Sequence, residues 1–263
     1  QGNAILGARS TIAVIGSGIS GLSAAWLLGQ RHDVTLFEAD RRSGGHSNTV
    51  DVKASSGPIP VDTGFIVYNT ASYPNLIALF KHLGVPTAPT EMSFAVSLDL
   101  GAYEYAGSGL ATLFGQPSNL LRPSHWRLIA DTFRFFREAR ELDLSGADGG
   151  LTLGQYLATA GYSEAFAVRH ILPMAAAIWS TPSKAVLNFP VAAFVRFFAS
   201  HGLLQIKDRP EWRTVVGGSR EYVQRMLAAF QGEVFLGEPA MRIVRSNGGV
   251  TVTTAKGDRR FDT

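Results

Sequence analysis

Cysteine is absent from all 263 residues. That single absence excludes disulfides, thiolate metal sites, a cysteine nucleophile and a dithiol redox pair. Redox chemistry on this chain therefore requires a borrowed cofactor. Charge is also sparse: charged residues make up 17%, the net charge is only +3, and no clustered basic stripe stands out, so no nucleic-acid partner is expected. No window reaches the roughly 18 uninterrupted apolar residues of a membrane-crossing helix. The opening "QGNAILGARS" is short and weakly apolar, and no secretory leader is expected in it. The expected location is the cytoplasm, with contact at a membrane surface left open. Repeats, low-complexity segments, a Ser-His-Asp order and metal-ligand spacings are missing as well.

What is present is a globular balance, 46% hydrophobic, in a chain long enough for one large or two modest domains. "STIAVIG" (10–16) is a short β-branched run ending in glycine, the composition of a buried parallel strand. "ISGLSAAWLLGQ" follows at helical spacing and closes near Gly29, and "HDVTLFEA" (32–39) reads as a second strand. Together they form a βαβ unit in which Gly16, Gly18 and Gly21 fit G-x-G-x-x-G. The first glycine permits the sharp turn, the second lets backbone approach a pyrophosphate, and the third allows close helix–strand packing. Ser17, Ile19 and Ser20 complete the loop, whose N–H groups would face the phosphates. The bland alternative is a tight turn with no ligand.

Glu38 weighs against that alternative. It ends the second strand 20 positions after Gly18, where a carboxylate accepts hydrogen bonds from an adenosine ribose. A carboxylate there also disfavours a ribose 2′-phosphate, although Arg41 and Arg42 stand nearby. "EADRRSGGHSNT" then supplies Ala39, Arg42, Gly44, Gly45, His46 and Thr49. A second glycine pair just past the ribose carboxylate exposes further amides, and Arg42 can add charge toward phosphates. A plain nicotinamide site does not need this pair, so the expected cofactor is FAD.

These stretches, with "VDTGFIVYN", resemble the N-terminal half of the flavin-containing amine oxidase, protoporphyrinogen oxidase and phytoene desaturase superfamily. "YPNLIALFKHLGVPT", "EMSFAVS", "LLRPSHW", "LPMAAAIWS" and "DRPEWRTVVGGSREYV" resemble a narrower bacterial group of NAD/FAD-binding oxidoreductases associated with lipid methyltransferases, which includes fatty-acyl desaturation activity. The resemblance implies an α/β fold: a discontinuous Rossmann-like FAD-binding domain with an inserted, helix-rich α+β substrate domain. It implies that Gly64 and Phe65 pass close to the flavin and that the Ala240 backbone meets the adenine. His46 stands where many superfamily members carry arginine.

The expected domains are 1–70, first part of the FAD domain; 71–212, the substrate domain; and 213–263, a return to the FAD domain. Within the insert, "RPSHWRLIADTFRFFREARELDL" places Trp126, Ile129, Phe133 and Phe136 on one stripe and Arg127, Asp131, Arg134 and Glu138 opposite. "ADGGLTLGQYLATAGY" reads as a loop and a short helix opening near Thr152. "NFPVAAFVRFFASHGLL" is apolar on more than one helical face, which suggests a lined cavity or a lipid-facing surface. Tyr68, His170 and Trp179 are the catalytic candidates, with His201 beside them; core packing is the competing reading for each.

The implied activity is FAD-dependent dehydrogenation or desaturation of a hydrophobic, fatty-acyl-type substrate, with hydride passing to flavin N5. Two alternatives are a flavin amine oxidase and a non-catalytic flavin-binding partner of a lipid-modifying enzyme. The sheet strand expected after "RRFDT" is absent from the 263 residues. A C-terminal fragment or second polypeptide completing the fold is therefore an expected partner, and this chain alone is expected to bind FAD poorly.

Overall fold

The computed structural model describes residues 9–145, 150–179, 181–205 and 210–263. The chain runs through β1 (Thr11–Ile15), α1 (Ile19–Leu28), β2 (Asp33–Phe37), β3 (Thr49–Ala54), β4 (Gly57–Asp62), β5 (Tyr68–Asn69), α2 (Pro74–Leu83) and β6 (Thr87–Thr90). Next come β7 (Ala95–Leu98), β8 (Tyr103–Ala106), α3 (Leu110–Leu113), α4 (Pro123–Ser145), α5 (Leu153–Thr159) and α6 (Glu164–Phe166). A π-helical turn over Ala167–Ile171 leads into α7 (Leu172–Trp179), α8 (Ser183–Val186) and α9 (Val191–Ser200). The last elements are β9 (Trp212–Val215), α10 (Arg220–Ala229), β10 (Glu233–Phe235), β11 (Arg242–Ser246), β12 (Gly249–Thr254) and β13 (Gly257–Phe261).

These elements form two compact units. One comprises Gln1–Tyr68, Tyr73–Thr90 and Arg213–Thr263; the other comprises Asn69–Ser72 and Glu91–Trp212. Residues 73–90, expected in the substrate domain, therefore lie in the first unit. The reason is packing: Phe80 of α2 is 3% exposed and joins Tyr68, Val85 and Tyr222 in the first unit's core, its ring 5.0 Å from that of Tyr222. The apolar face of α2 needs that cover.

In the first unit, β1, β2 and β10 make a parallel sheet in the order β1-β2-β10, with Thr11 opposite Asp33 and Glu233 opposite Thr35. Leu22 and Ala25 of α1 are fully buried against it. The antiparallel β11–β12–β13 sheet packs Val252 and Phe261 on Phe37. Asp262 and Thr263 donate backbone bonds to the Thr11 carbonyl, and Ala13 N–H donates to the Thr263 carbonyl, so the chain returns along the outer edge of β1. A hairpin, β3–β4, follows the second glycine pair, with Thr49 opposite Asp62.

The second unit is built on Phe135, Phe166, Phe194 and Phe198, all at most 1% exposed. Here α4 departs from the expected stripe. Trp126 and Phe133 are half exposed, whereas His125, Leu128, Asp131, Phe135 and Ala139 are buried. The helix is apolar on two adjacent faces, and the core takes the one carrying Leu128 and Phe135. Asp131 accepts from Ser163 N–H at 3.0 Å and from Arg127, which satisfies a carboxylate that a simple amphipathic reading leaves in water. The α9 run is likewise core, through Val191, Phe194, Val195 and Phe198. Among the described residues, no helix is long and apolar enough to cross a membrane.

Candidate functional site

The glycine loop sits between β1 and α1. Gly16 has φ +90°, a left-handed conformation that strains any side-chain-bearing residue. A Cβ at Gly21 would lie 1.9 Å from the Gly16 carbonyl oxygen, so only glycine lets the helix start this close to the strand end. Gly18 differs: a Cβ there would meet nothing within 4 Å, and it caps α1 with no side-chain hydrogen bond. Ile19 and Ser20 at the helix start are exposed. The first-turn amides thus lack a side-chain cap at the positive end of the helix dipole. That is an anion cradle.

Glu38 is tied directly to this loop. One carboxylate oxygen accepts from Ser17 N–H at 2.7 Å and from the Ser17 hydroxyl; the other accepts from Asp40 N–H at 2.9 Å. Partial burial pushes its carboxyl up, but the bonds from Asp40 and Ser17 outweigh burial and hold it below the usual carboxylate range. Two carboxylate oxygens offer about four acceptor positions, so capacity remains for a ribose hydroxyl. The segment before Ala240 joins the same corner: Gly237 N–H donates to the Asp40 carbonyl and Glu238 N–H to the Glu38 carbonyl, both at 2.8 Å.

The second glycine pair is also drawn in. Gly44 N–H donates to the Ser17 carbonyl at 3.0 Å and lies 3.2 Å from the Ser17 hydroxyl, and a Cβ on Gly45 would lie 3.1 Å from Gly18 Cα. Fully buried Ser17 therefore links the first loop, Glu38 and the second glycine pair. Gly64 crosses His46 so closely that a Cβ would lie 2.2 Å from the His46 carbonyl oxygen, which Phe65 N–H also engages at 2.9 Å. The exposed Arg42 guanidinium turns back on the Gly45 carbonyl at 2.7 Å. Asp62 and Ser219 were not singled out by the sequence, yet Asp62 accepts from the Ser219 amide and hydroxyl at 2.9 and 2.7 Å. The available signal was Gly217–Gly218 ahead of a helix, a second turn of the kind seen at Gly44–Gly45, with φ of +88° and +89°.

The catalytic candidates are not gathered in one place. Tyr68 is 2% exposed in the first unit, edge-on to Phe80. Trp179 packs in the second unit's core against Phe189, Phe194 and Phe197. His201, with its Nδ1 by the Ser200 hydroxyl, stacks on Phe197 at 4.0 Å. His170 borders a cavity of about 330 Å³ inside the second unit, walled by Phe94, Leu128, Ile129, Phe133 and Phe136 among others. Ile129, Phe133 and Phe136 of the misjudged α4 stripe thus line the cavity.

The model of the family described as flavin containing amine oxidoreductase matches residues 19–263. AofH of Mycobacterium tuberculosis, provisionally named a flavin-containing monoamine oxidase, is 29% identical over 263 residues, covering 94% of this chain and 54% of that protein. The chain spans about half the length of the curated relatives it matches. Cyclohexylamine oxidase from Brevibacterium oxydans superposes with a TM-score of 0.67 at 21% identity, over 96% of this chain and 56% of that one. A fatty acid isomerase from P. acnes that produces CLA gives 0.58 at 19% identity, over 97% and 57%. At these identities the superpositions show a shared fold.

Proposed function

Because the chain belongs to the flavin-containing amine oxidoreductase family, we propose that the whole protein is an FAD-dependent oxidoreductase acting on an apolar substrate, first among candidates a fatty-acyl chain. The observation that carries the cofactor is the uncapped start of α1 joined through Ser17 to Glu38. Gly16, Gly18 and the first amides of α1 would hold the pyrophosphate, Glu38 the adenosine ribose, and Gly44, Gly45 and Gly64 the close passage toward the flavin. Bound FAD supplies a two-electron acceptor, chemistry that a chain without cysteine cannot supply itself. The chain's own part is to bind, orient and keep water out. The apolar cavity of the second unit supports the substrate class. Exposed Leu120, Leu121 and Trp126 are the candidates for contact with a lipid surface.

The names carried by AofH and cyclohexylamine oxidase favour a second reading, oxidation of an amine. Mass spectrometry of small molecules released from the denatured protein is expected to find FAD; release of a nicotinamide dinucleotide instead overturns the cofactor assignment. Anaerobic mixing of the flavin-loaded protein with methyl oleate or cyclohexylamine then decides the substrate. Bleaching by the ester supports the acyl reading, and bleaching by the amine alone replaces it with the second.

A further inference from the structure

The cavity in the second unit is lined mostly by apolar side chains. Among the described residues lining it there is no lysine, arginine, aspartate or glutamate, and its ionisable groups are Tyr105, His170 and His201. His170 is 7% exposed and sits on the π-helical turn. Such turns insert one residue into a helix and often mark functional sites. Its ring is stacked on Phe166 at 5.7 Å and meets Phe94 edge-on at 5.8 Å.

The hydrogen bonds around that ring determine its tautomer. His170 Nδ1 lies 2.8 Å from the Tyr105 hydroxyl, and the same hydroxyl lies 2.9 Å from the Arg169 carbonyl oxygen. A hydroxyl has one proton and a carbonyl has none. Both contacts are full hydrogen bonds only when Tyr105 donates to Arg169 and accepts from His170 Nδ1–H. The proton of the neutral imidazole is then on Nδ1, and Nε2 is a bare acceptor. Burial pushes the imidazole down to about 4, which keeps it neutral near physiological pH. Nε2 has no partner and is shielded from water. An unpaired buried acceptor is a standing cost that a ligand's donor would remove. Because Nε2 is closed off, a donor in the cavity reaches it only as a lining side chain shifts, and Met174, unbranched and among the lining residues, is one that can give way.

We propose that this cavity binds an uncharged, mostly apolar molecule of about ten heavy atoms that donates a single hydrogen bond, from a hydroxyl or an N–H, to His170 Nε2. The size follows from 330 Å³ at about 30 Å³ per water-sized group. The charge follows from the lining. A carboxylate offers no proton to a bare nitrogen, and an ammonium donates one but meets no counter-charge. As a statement about substrate this rests on the apolar-substrate reading above and narrows it, from a fatty-acyl ester without a donor to an apolar molecule or chain segment carrying one hydroxyl or N–H; as a binding site it stands on the second unit alone.

The test is calorimetric binding to the full chain of 1-decanol, its isomer 1-methoxynonane, decanoate and decylammonium. The alcohol and ether match in size and differ in the O–H. The alcohol is expected to bind roughly three- to tenfold tighter than the ether, and both ions more weakly than the alcohol. His170→Phe is expected to bring alcohol and ether level while the ether's own affinity holds. Should that variant not fold, ¹⁵N NMR of the unaltered chain reads the same point. Its Nε2 resonance is expected to be that of an unprotonated ring nitrogen and to move upfield with the alcohol but not with the ether. Equal binding of the isomers, tightest binding of decanoate, a preference that survives His170→Phe, or failure of every probe to bind overturns the proposal. A whole protein that releases FAD yet ignores decanol refutes this site and spares the flavin reading; decanol bound by a whole protein that releases no FAD does the reverse.

Discussion

At the scale of the residue, two glycines of one motif do different work. Gly21 is closed in by backbone, Gly18 by nothing. Gly21→Ala is expected to destabilise the fold by about 1–3 kcal/mol or more, because the clashing atom is a carbonyl oxygen that cannot swing aside. Gly18 has φ −62°, so Gly18→Ala is expected to change stability by less than about 0.5 kcal/mol. Flavin retention by the same variant is expected to fall at least tenfold if the pyrophosphate lies where we propose, since the new methyl enters that open space. Urea melts and flavin absorbance separate the two. His170 gives a pH signature. Unfolded, its ring takes a proton near 6.5; folded, only near 4. Stability is therefore full above pH 6.5 and falls as pH drops toward 4, by at most about 3 kcal/mol. His170→Phe is expected to flatten urea midpoints across that window. Burial pushes Asp131 up, but bonds from Ser163 and Arg127 hold it below its ordinary 3.8, so its contribution is lost only at still lower pH. The spacing of Gly16, Gly18, Gly21 and Glu38 was legible because it reflects local geometry. The role of Ser17 was not, since its partners Glu38 and Gly44 lie 21 and 27 residues away.

Elements were legible where local chemistry is strong. The helix expected to open near Thr152 begins at Leu153, with Thr152 accepting from Gln155 N–H and Gln155 reaching back to Thr152 N–H. Thr152→Ala removes this reciprocal cap and is expected to cost about 1 kcal/mol, read as a lowered unfolding midpoint with flavin content unchanged. Elements were not legible where local signals are weak or compete. The β3–β4 hairpin carries Pro58 and Pro60 and is almost wholly exposed, so neither alternation nor burial marks it. In α4, apolar residues occupy two adjacent faces, and only the neighbouring helices decide that Phe135 is core while Phe133 is half exposed.

At the scale of the whole chain, the first unit is assembled from segments far apart in sequence. Its cofactor corner draws on 16–21, 38–49, 62–65 and 237–240, with residues 91–212 belonging to the other unit. Stripping flavin from the loaded protein is expected to speed amide hydrogen exchange in all four segments together. Change confined to 16–21 alone would show that the corner is not one site. Tyr73–Thr90 and Arg213–Thr263 both fall in the first unit, and no local pattern marks the membership of the former. Whether α2 belongs to one core or the other depends on which ring Phe80 meets, and that is a tertiary fact.

By itself the sequence determined the βαβ unit, the glycine turn and the acidic residue that ends the second strand, because strand, turn and helix obey rules acting over a few residues. Only the tertiary structure decided that Ser17 binds the corner together, that Tyr68 is core and Trp179 packs against one, and that His170, on the lining of an apolar cavity, keeps an unpartnered nitrogen. The loop "GSGISG" is recognisable from its spacing alone; what the fold adds is which of its glycines is packed and which is open. Burial and hydrogen-bond partnership are properties of neighbours brought together from distant positions, and no local pattern specifies which neighbours those will be.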